Sequence, residues 1–447
     1  MKLNIIFLVI DSFRHDKFCG EQKTSITPNL DHLVSAGTYF EQMISSSDQT
    51  GSSIASIFTG LFPCRKNLNE FTFTKNEETF LSELKNQGYE TYSFLPDIDF
   101  FKELSKQIDF PKSYNFLEKN EWKKICEGLG NDFIKKIPKS SNPWFYYFHI
   151  MDIRNPYNVP EKYVGEEFGK SDYDKIVSSL DDFFGELIKE IDLTNTLIVI
   201  SSDHGEYIPA TKKFNKKPSK LEKVISEKTK SKSFIDKIGK KAIMNLRFAS
   251  QTYQKEKLKH ELTPYQLRSL NSRAQIDLYD ELIRIPFLIV GQKIPKKYII
   301  KNLVRQVDIF PTLLDLIEIN TEKDVDGKSM KDLINGKKRH GDEIAYIQVG
   351  INAGQLIDDK SFLPEVVGIR TENYKYYRHR ENKNKFVNLY NLKKDPLEEN
   401  NLSKDNSEHI IEFEKKLSTL LDNKKENKLS VKSKEDAIEL LKKLGYV

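Results

Sequence analysis

Apolar residues along the chain fall into short blocks of strand length, separated by stretches in which they recur every three or four positions. Residues 3–10 (LNIIFLVI) form an apolar run that reads as a strand buried on both faces, with Asp11 at its end. Residues 28–36 begin with Pro28, carry Leu30, Leu33 and Val34 on one helical face, and stop at Gly37. A helix follows over 78–87, ended by Gly88, then a strand near Tyr89–Leu95 and an aromatic strand over 144–150 (WFYYFHI). Ile176, Leu180, Phe183, Phe184, Leu187 and Ile191 predict a helical stretch over 173–191. The strand 196–201 (TLIVIS) runs into Ser202-Asp203-His204-Gly205. A strand over 284–290 and a helix over 304–317 come next. Strands alternating with helices predict an α/β protein with a doubly wound sheet, in which ligands bind beyond the carboxyl ends of strands. After about residue 335 the pattern becomes antiparallel strands and then helices over 407–422 and 434–444. The expected division is therefore residues 1–335 and a smaller α+β unit over 336–447.

Charge modifies this picture in one place. The 447 residues hold 71 basic and 66 acidic side chains, a net charge of +5. Residues 212–247 alone hold twelve lysines and Arg247 against Glu222, Glu227 and Asp236, a net of +10. The rest of the chain is thus slightly acidic, and a uniformly basic nucleic-acid binder is excluded. The basic stretch lies in an insertion of about 211–272. It is expected to be a solvated face, or a docking surface for an anionic partner, either the cytoplasmic face of a membrane or a polyanionic glycan. Cys19, Cys64 and Cys126 are odd in number and widely spaced, which argues against a disulfide framework or structural zinc site. No apolar run reaches membrane-spanning length, and a cytoplasmic protein is expected.

Three places hold candidate chemistry. Asp203 and His204 at a strand end form a plausible metal-ligand pair above a tight glycine turn. Asp11 has the same position after the first strand. The hydroxyl-rich segment 45–53, which includes Asp48 and Thr50, precedes an apolar helix whose free N–H groups favour an anion. Turn and cap roles are the plain alternatives for all three.

An ordered series of segments then resembles the sulfatases of the alkaline-phosphatase superfamily. It comprises TPNLDHLVSAGTYF (27–40), IASIFTGLFP (54–63), FHIMDIRNPY (148–157), YDKIVSSLDDFFGELI (173–188), SSDHGE (201–206), LYDELIRIPFLIVG (278–291), VDIFPTLLDL (307–316), GIRTENYKYY (368–377) and LYNLKKDPLEENNL (389–402). The resemblance implies an alkaline-phosphatase-like sheet, a small C-terminal α+β domain, and a divalent metal ion (Zn, Mn, Ca or Mg) held by Asp11, Asp203 and His204. Ser12 stands where a second acid often follows the first. Counting from Phe40 and back from Thr59-Gly60 places Thr50 in the nucleophile position.

Sulfatases carry at that position a Cys or Ser that is converted to formylglycine, and Thr cannot be converted. Ser52 and Ile54 replace the Pro and Arg of that motif, Arg154 stands for a His, and the strand near 89–95 leads into LPDID without the sulfate-gripping Lys and His. The retained set is similar to the phosphoryl-transferring branches of the superfamily. The expected activity is metal-dependent hydrolysis or transfer of phosphate esters through Thr50, with Arg154 gripping a phosphoryl oxygen. A sulfatase and a degenerate binding protein are the alternatives. The substrate would be a phosphorylated or sulfated ester on a glycan or lipid head group. His149 and His260 are candidates for a second metal or for protonating the leaving group, although His149, inside an aromatic strand, reads first as a core histidine. Asp152 would orient a neighbour.

Overall fold

The computed structural model describes residues 2–69, 71–116, 124–154, 157–211, 252–271, 273, 276–339, 341, 343–351, 365–405 and 407–422. The basic stretch 212–247 and the helix expected over 434–444 lie outside these residues.

Eight strands form the large sheet: β1 (Asn4–Ile10), β2 (Gly37–Ile44), β3 (Glu90–Pro96), β4 (Phe110–Tyr114), β5 (Trp144–Ile150), β6 (Thr196–Ser201), β7 (Arg284–Val290) and β8 (Tyr298–Arg305). Their order is β4-β3-β5-β1-β6-β7-β2-β8. All run parallel except β7, which is antiparallel to both β6 and β2. The α/β class expected from the sequence is therefore the observed one. A second, four-stranded antiparallel sheet joins β9 (Ala345–Gln348), β10 (Val366–Arg370), β11 (Tyr374–His379) and β12 (Asn388–Asn391) in the order β12-β11-β10-β9.

Period-2 alternation explains how the central strands present their side chains. Ile5, Phe7 and Val9 of β1, Phe145 and Tyr147 of β5, and Leu197 and Val199 of β6 share one face and one core. The helices Thr50–Thr59, Phe80–Asn86 and Ile309–Leu316 cover that face. Phe58 stacks on Phe80 at 4.9 Å and meets Tyr147 edge-on at 5.1 Å. On the opposite face, Phe133 stacks on Tyr146 and Phe148, and Phe183 closes over Phe148. Burial on both faces is why β1, β5 and β6 read as apolar runs.

Several boundaries differ from the expectation. Residues 173–191 form two helices, Asp172–Ser179 and Asp181–Glu190, broken at Leu180. Strands β2 and β8 were not expected. β8 is an edge strand with Lys301 and Asn302 turned to solvent, so its apolar pattern is diluted. The described residues form two compact units. One compact unit takes in residues up to Glu206, Arg273–Pro396 and those from Asn400 on, so it holds both sheets. The other contains Tyr207–Ser272 and Leu397–Glu399. Within that smaller unit, Leu258 and Leu270 form a local core and Thr263 caps the helix Pro264–Arg268 with Gln266. Among the described residues no helix is long and apolar enough to cross a membrane.

Candidate active site

Strands β5, β1 and β6 are neighbours, and their register sets Val9 opposite both His149 and Ser201. The carboxyl ends of the three central strands therefore finish side by side. Continuing the alternation two residues beyond Val9, Tyr147 and Ser201 reaches Asp11, His149 and Asp203, all on the face covered by the helix Thr50–Thr59. These three side chains are fully buried, and their ligand atoms lie within 4.8 Å of one another. His149 thus belongs to the site rather than to the hydrophobic core, a correction to the first reading of the aromatic strand.

The turn after β1 is tightly held. Ser12 takes φ 65°, an uncommon conformation for a residue with a side chain. Its N–H donates to Asp203 Oδ1 at 3.1 Å, and its hydroxyl donates to Asp11 Oδ1 at 2.5 Å. The Tyr173 hydroxyl donates to the Ser12 carbonyl at 2.8 Å. Ser202 ties the strand ends together, accepting from Phe13 N at 2.9 Å and donating to the Ile10 carbonyl at 2.7 Å. The Gln306 amide donates to the Asp203 carbonyl at 2.9 Å.

Thr50 is the first residue of its helix, with Gln49 in the extended conformation before it. Its hydroxyl donates to Asp11 Oδ2 at 3.3 Å and stands 3.3 Å from His204 Nε2. The segment before the helix is fastened to the small sheet. Gly350 N donates to Asp48 Oδ1 at 2.6 Å, and the Gln49 side chain exchanges two 2.9 Å hydrogen bonds with the Ile351 backbone. A side chain at Gly350 would collide with Gln49, at 1.9 Å from its Cδ.

The sequence candidates Asp11, Thr50, Arg154, Asp203 and His204 therefore meet at one place. Arg154 Nη1 donates to Asp11 Oδ2 at 3.0 Å. His204 Nε2 stands 3.3 Å from Asp203 Oδ2, and its Nδ1 is 2.9 Å from the Gly205 carbonyl. His260, the other candidate histidine, is exposed within the smaller unit. Asp152 is buried beside the site, where it accepts from Ile125 N at 2.7 Å. Arg273 was missed. Its Nη1 contacts the His204 ring nitrogens at 2.6 and 2.7 Å, and its Nε lies 3.3 Å from Glu206. It follows the basic insertion directly, in a stretch with no periodic pattern to mark it.

The electrostatics separate the two carboxylates. Burial alone would raise Asp11, but Arg154 and the nearby His149, His204 and Arg273 hold it well below the usual carboxylate range. Asp203 is pushed up to about 6, first by burial and then by the charge of Asp11. Burial and Arg273 keep His204 well below the ordinary imidazole range. Two buried carboxylates repelling each other next to neutral imidazole nitrogen form a donor set that suits a divalent cation. The His149 Nε2 atom, buried and without a hydrogen-bond partner among the described residues, fits the same role.

The family model for sulfatases matches residues 3–319, and that for the N-sulphoglucosamine sulphohydrolase C-terminal region matches 275–427. The chain belongs to the sulfatase family. An "Ulvan-active sulfatase" of Formosa agariphila is 24% identical over 460 residues, covering 90% of this chain and 77% of that protein. An uncharacterized protein of Haemophilus influenzae is 26% identical over 210 residues, covering 46% of this chain and 32% of that one. Two solved structures share the fold. Ps i-CgsB in complex with k-i-k-neocarrahexaose superposes with a TM-score of 0.66 at 18% identity, covering 95% of this chain and 94% of that one. The phosphonate monoester hydrolase of Agrobacterium radiobacter gives 0.65 at 14%, covering 94% and 95%. The solved structures show a shared fold. The family match agrees with the sulfatase alternative better than with the phosphate esters expected from the sequence.

Proposed function

We propose that this sulfatase-family chain is a metal-dependent hydrolase of sulfate esters carried on glycans, with Thr50 as the attacking group. The observation that carries the reading is the Thr50 hydroxyl at a helix N-terminus, 3.3 Å from Asp11 Oδ2 and beside the Asp11–Asp203–His149 cluster. The glycan sulfate class is supported by the sulfatase relatives, one of them ulvan-active and matched over 90% of this chain. A bound divalent cation, held by Asp11, Asp203 and His204, would polarise the ester and lower the pKa of a nearby hydroxyl.

The chain's own residues supply the rest. Asp11 Oδ2 orients the Thr50 proton away from the helix, leaving an oxygen lone pair for in-line attack on sulfur. The S–O bond to the sugar breaks, and the proton lost by Thr50 ends on the leaving sugar oxygen. Water then attacks the sulfothreonine, releasing hydrogen sulfate and restoring the Thr50 hydroxyl. Arg154 and Arg273 bring positive charge to a site that must hold an anion through both steps.

A second reading, phosphate or phosphonate ester hydrolysis or transfer by the same steps at phosphorus, is favoured by Thr50 itself. An unmodified hydroxyl serves phosphoryl transfer without any maturation. Turnover of paired aryl sulfate, aryl phosphate and aryl phosphonate esters, and desulfation of sulfated oligosaccharides, decides between them. Sulfate release abolished by Thr50→Ala supports the first reading. Phosphate release without sulfate release replaces it with the second. No turnover of any ester by metal-loaded protein leaves the binding-protein alternative.

A further inference from the structure

The donor cluster goes further than the hydrolase reading, on whose metal dependence this inference rests. Each carboxylate has one oxygen already engaged. Asp11 Oδ1 accepts from the Ser12 hydroxyl, and Asp203 Oδ1 accepts from Ser12 N at 3.1 Å and His204 N at 2.8 Å. Asp203 Oδ2 accepts no hydrogen bond among the described residues, and Asp11 Oδ2, which accepts from Thr50 at 3.3 Å and Arg154 at 3.0 Å, lies nearest His149, so each acid turns one oxygen toward the shared space. Ser12 adds none, because its hydroxyl is turned back onto Asp11.

His149 faces the same space. Its Nε2 is 3.9 Å from Asp11 Oδ2, fully buried, and has no hydrogen-bond partner among the described residues. Its other nitrogen is engaged, with Nδ1 2.9 Å from the Tyr147 hydroxyl. The Phe101 ring packs on the imidazole at 4.5 Å between centroids and fixes its plane. With Nδ1–H donating to Tyr147, Nε2 presents a lone pair toward the two carboxylates, the arrangement in which an outer partner sets the tautomer of a metal-binding histidine. A histidine serving only the core would have both nitrogens satisfied.

We propose that His149 is a direct ligand of the active-site cation, and that this nitrogen makes the site select Zn2+ over Ca2+. Imidazole with single carboxylate oxygens suits zinc, whereas calcium takes six to eight oxygens, which these residues do not supply. Tyr147 is a positioning residue acting through His149.

Metal-stripped full-length protein is titrated with Zn2+ and with Ca2+ against a chromophoric chelator, without substrate. The wild type is expected to bind Zn2+ at least about 100-fold more tightly than Ca2+. His149→Gln is expected to weaken Zn2+ binding by about 100-fold or more, with Ca2+ little changed, and Tyr147→Phe to weaken Zn2+ by about 10-fold or more. X-ray absorption of the zinc-loaded wild type shows imidazole scattering that falls in His149→Gln. If His149→Gln does not fold, Tyr147→Phe and the wild-type metal preference carry the test. Tighter Ca2+ than Zn2+ binding in the wild type, or equal Zn2+ affinity in wild type and His149→Gln, overturns the proposal. Asp203→Asn separates the two levels. If it abolishes binding while His149→Gln changes nothing, the metal-dependent reading stands and the ligand assignment falls. If neither variant changes binding, the metal-dependent reading falls with it.

Discussion

The Thr50 hydroxyl lies 3.3 Å from Asp11 Oδ2, although the two residues belong to different elements, a helix N-terminus and the end of the first strand. In the proposed reaction that pairing sets Thr50 as the attacking group rather than a helix cap. Thr50→Ala should reduce ester turnover by about 1000-fold or more, because the step that forms the covalent intermediate is lost. Thr50→Ser keeps the hydroxyl and should stay within about tenfold of the wild type. Steady-state rates on the best aryl ester, with equal metal content in all three proteins, check this. An active Thr50→Ala would show that water attacks directly.

Arg154 donates to the same Asp11 oxygen at 3.0 Å and is almost wholly buried. A guanidinium in that position is placed to grip an ester oxygen as charge develops. Arg154→Ala should lower kcat/KM by about 100-fold, and Arg154→Lys should recover only part of that loss, because an ammonium lacks the planar fork. Metal content should be unchanged in both variants. Loss of metal together with activity would instead assign Arg154 to holding Asp11 in place.

Much of the site was legible in the sequence because its residues stand at strand ends. In an α/β sheet the residue after an apolar run is both buried and at the ligand-binding edge, which singled out Asp11 and Asp203-His204. Thr50 came from the resemblance to the sulfatases, whose nucleophile position is reached by counting from Phe40 and back from Thr59-Gly60. His149 was named as a candidate but read first as a core residue, because it lies inside a run of six aromatic and aliphatic residues, where periodicity says which face it shares but not what waits there. Only the pairing of β5 with β1 shows that its face ends on Asp11. Arg273 was hidden because nothing local marks it, and its role depends on His204, 69 residues earlier. Strands β2 and β8 escaped for a related reason. They lie toward one edge of the sheet, where polar residues such as Glu41, Gln42 and Lys301 interrupt the apolar pattern.

The small sheet is fastened through a buried ion cluster. Lys375 in β11 is fully buried, with Nζ 2.6 Å from Asp280 and 2.9 Å from the Leu278 carbonyl, and Arg370 in β10 donates to Asp280 at 3.1 Å. Asp280→Asn leaves two buried cations without their counter-charge and should destabilise the protein by about 3–5 kcal/mol. The double variant Asp280→Asn with Lys375→Met should be less destabilised than the single one. Denaturant unfolding of the wild type, Asp280→Asn, Lys375→Met and the double variant tests the coupling, and additive effects would show that Lys375 and Asp280 act independently.

Asp152 offers a pH signature independent of the metal site. Burial pushes its carboxyl up to about 6, with the Ile125 N–H opposing the shift. A raised value means that the folded protein binds this proton more tightly than the unfolded chain. The stabilisation is therefore complete below the ordinary carboxylate pKa near 4 and is lost as pH rises through about 6. At neutral pH the ionised, buried Asp152 costs about 3 kcal/mol relative to its neutral form. Asp152→Asn keeps an oxygen for the Ile125 N–H and removes the charge. It should match the wild type in stability near pH 4 and exceed it by about 3 kcal/mol near pH 8, with the gap opening between about pH 4 and 6. Urea unfolding of both proteins across that range measures the gap. Because every other titrating group, including Asp203, is common to the two proteins, a gap that stays constant with pH would show that Asp152 is ionised at its ordinary value.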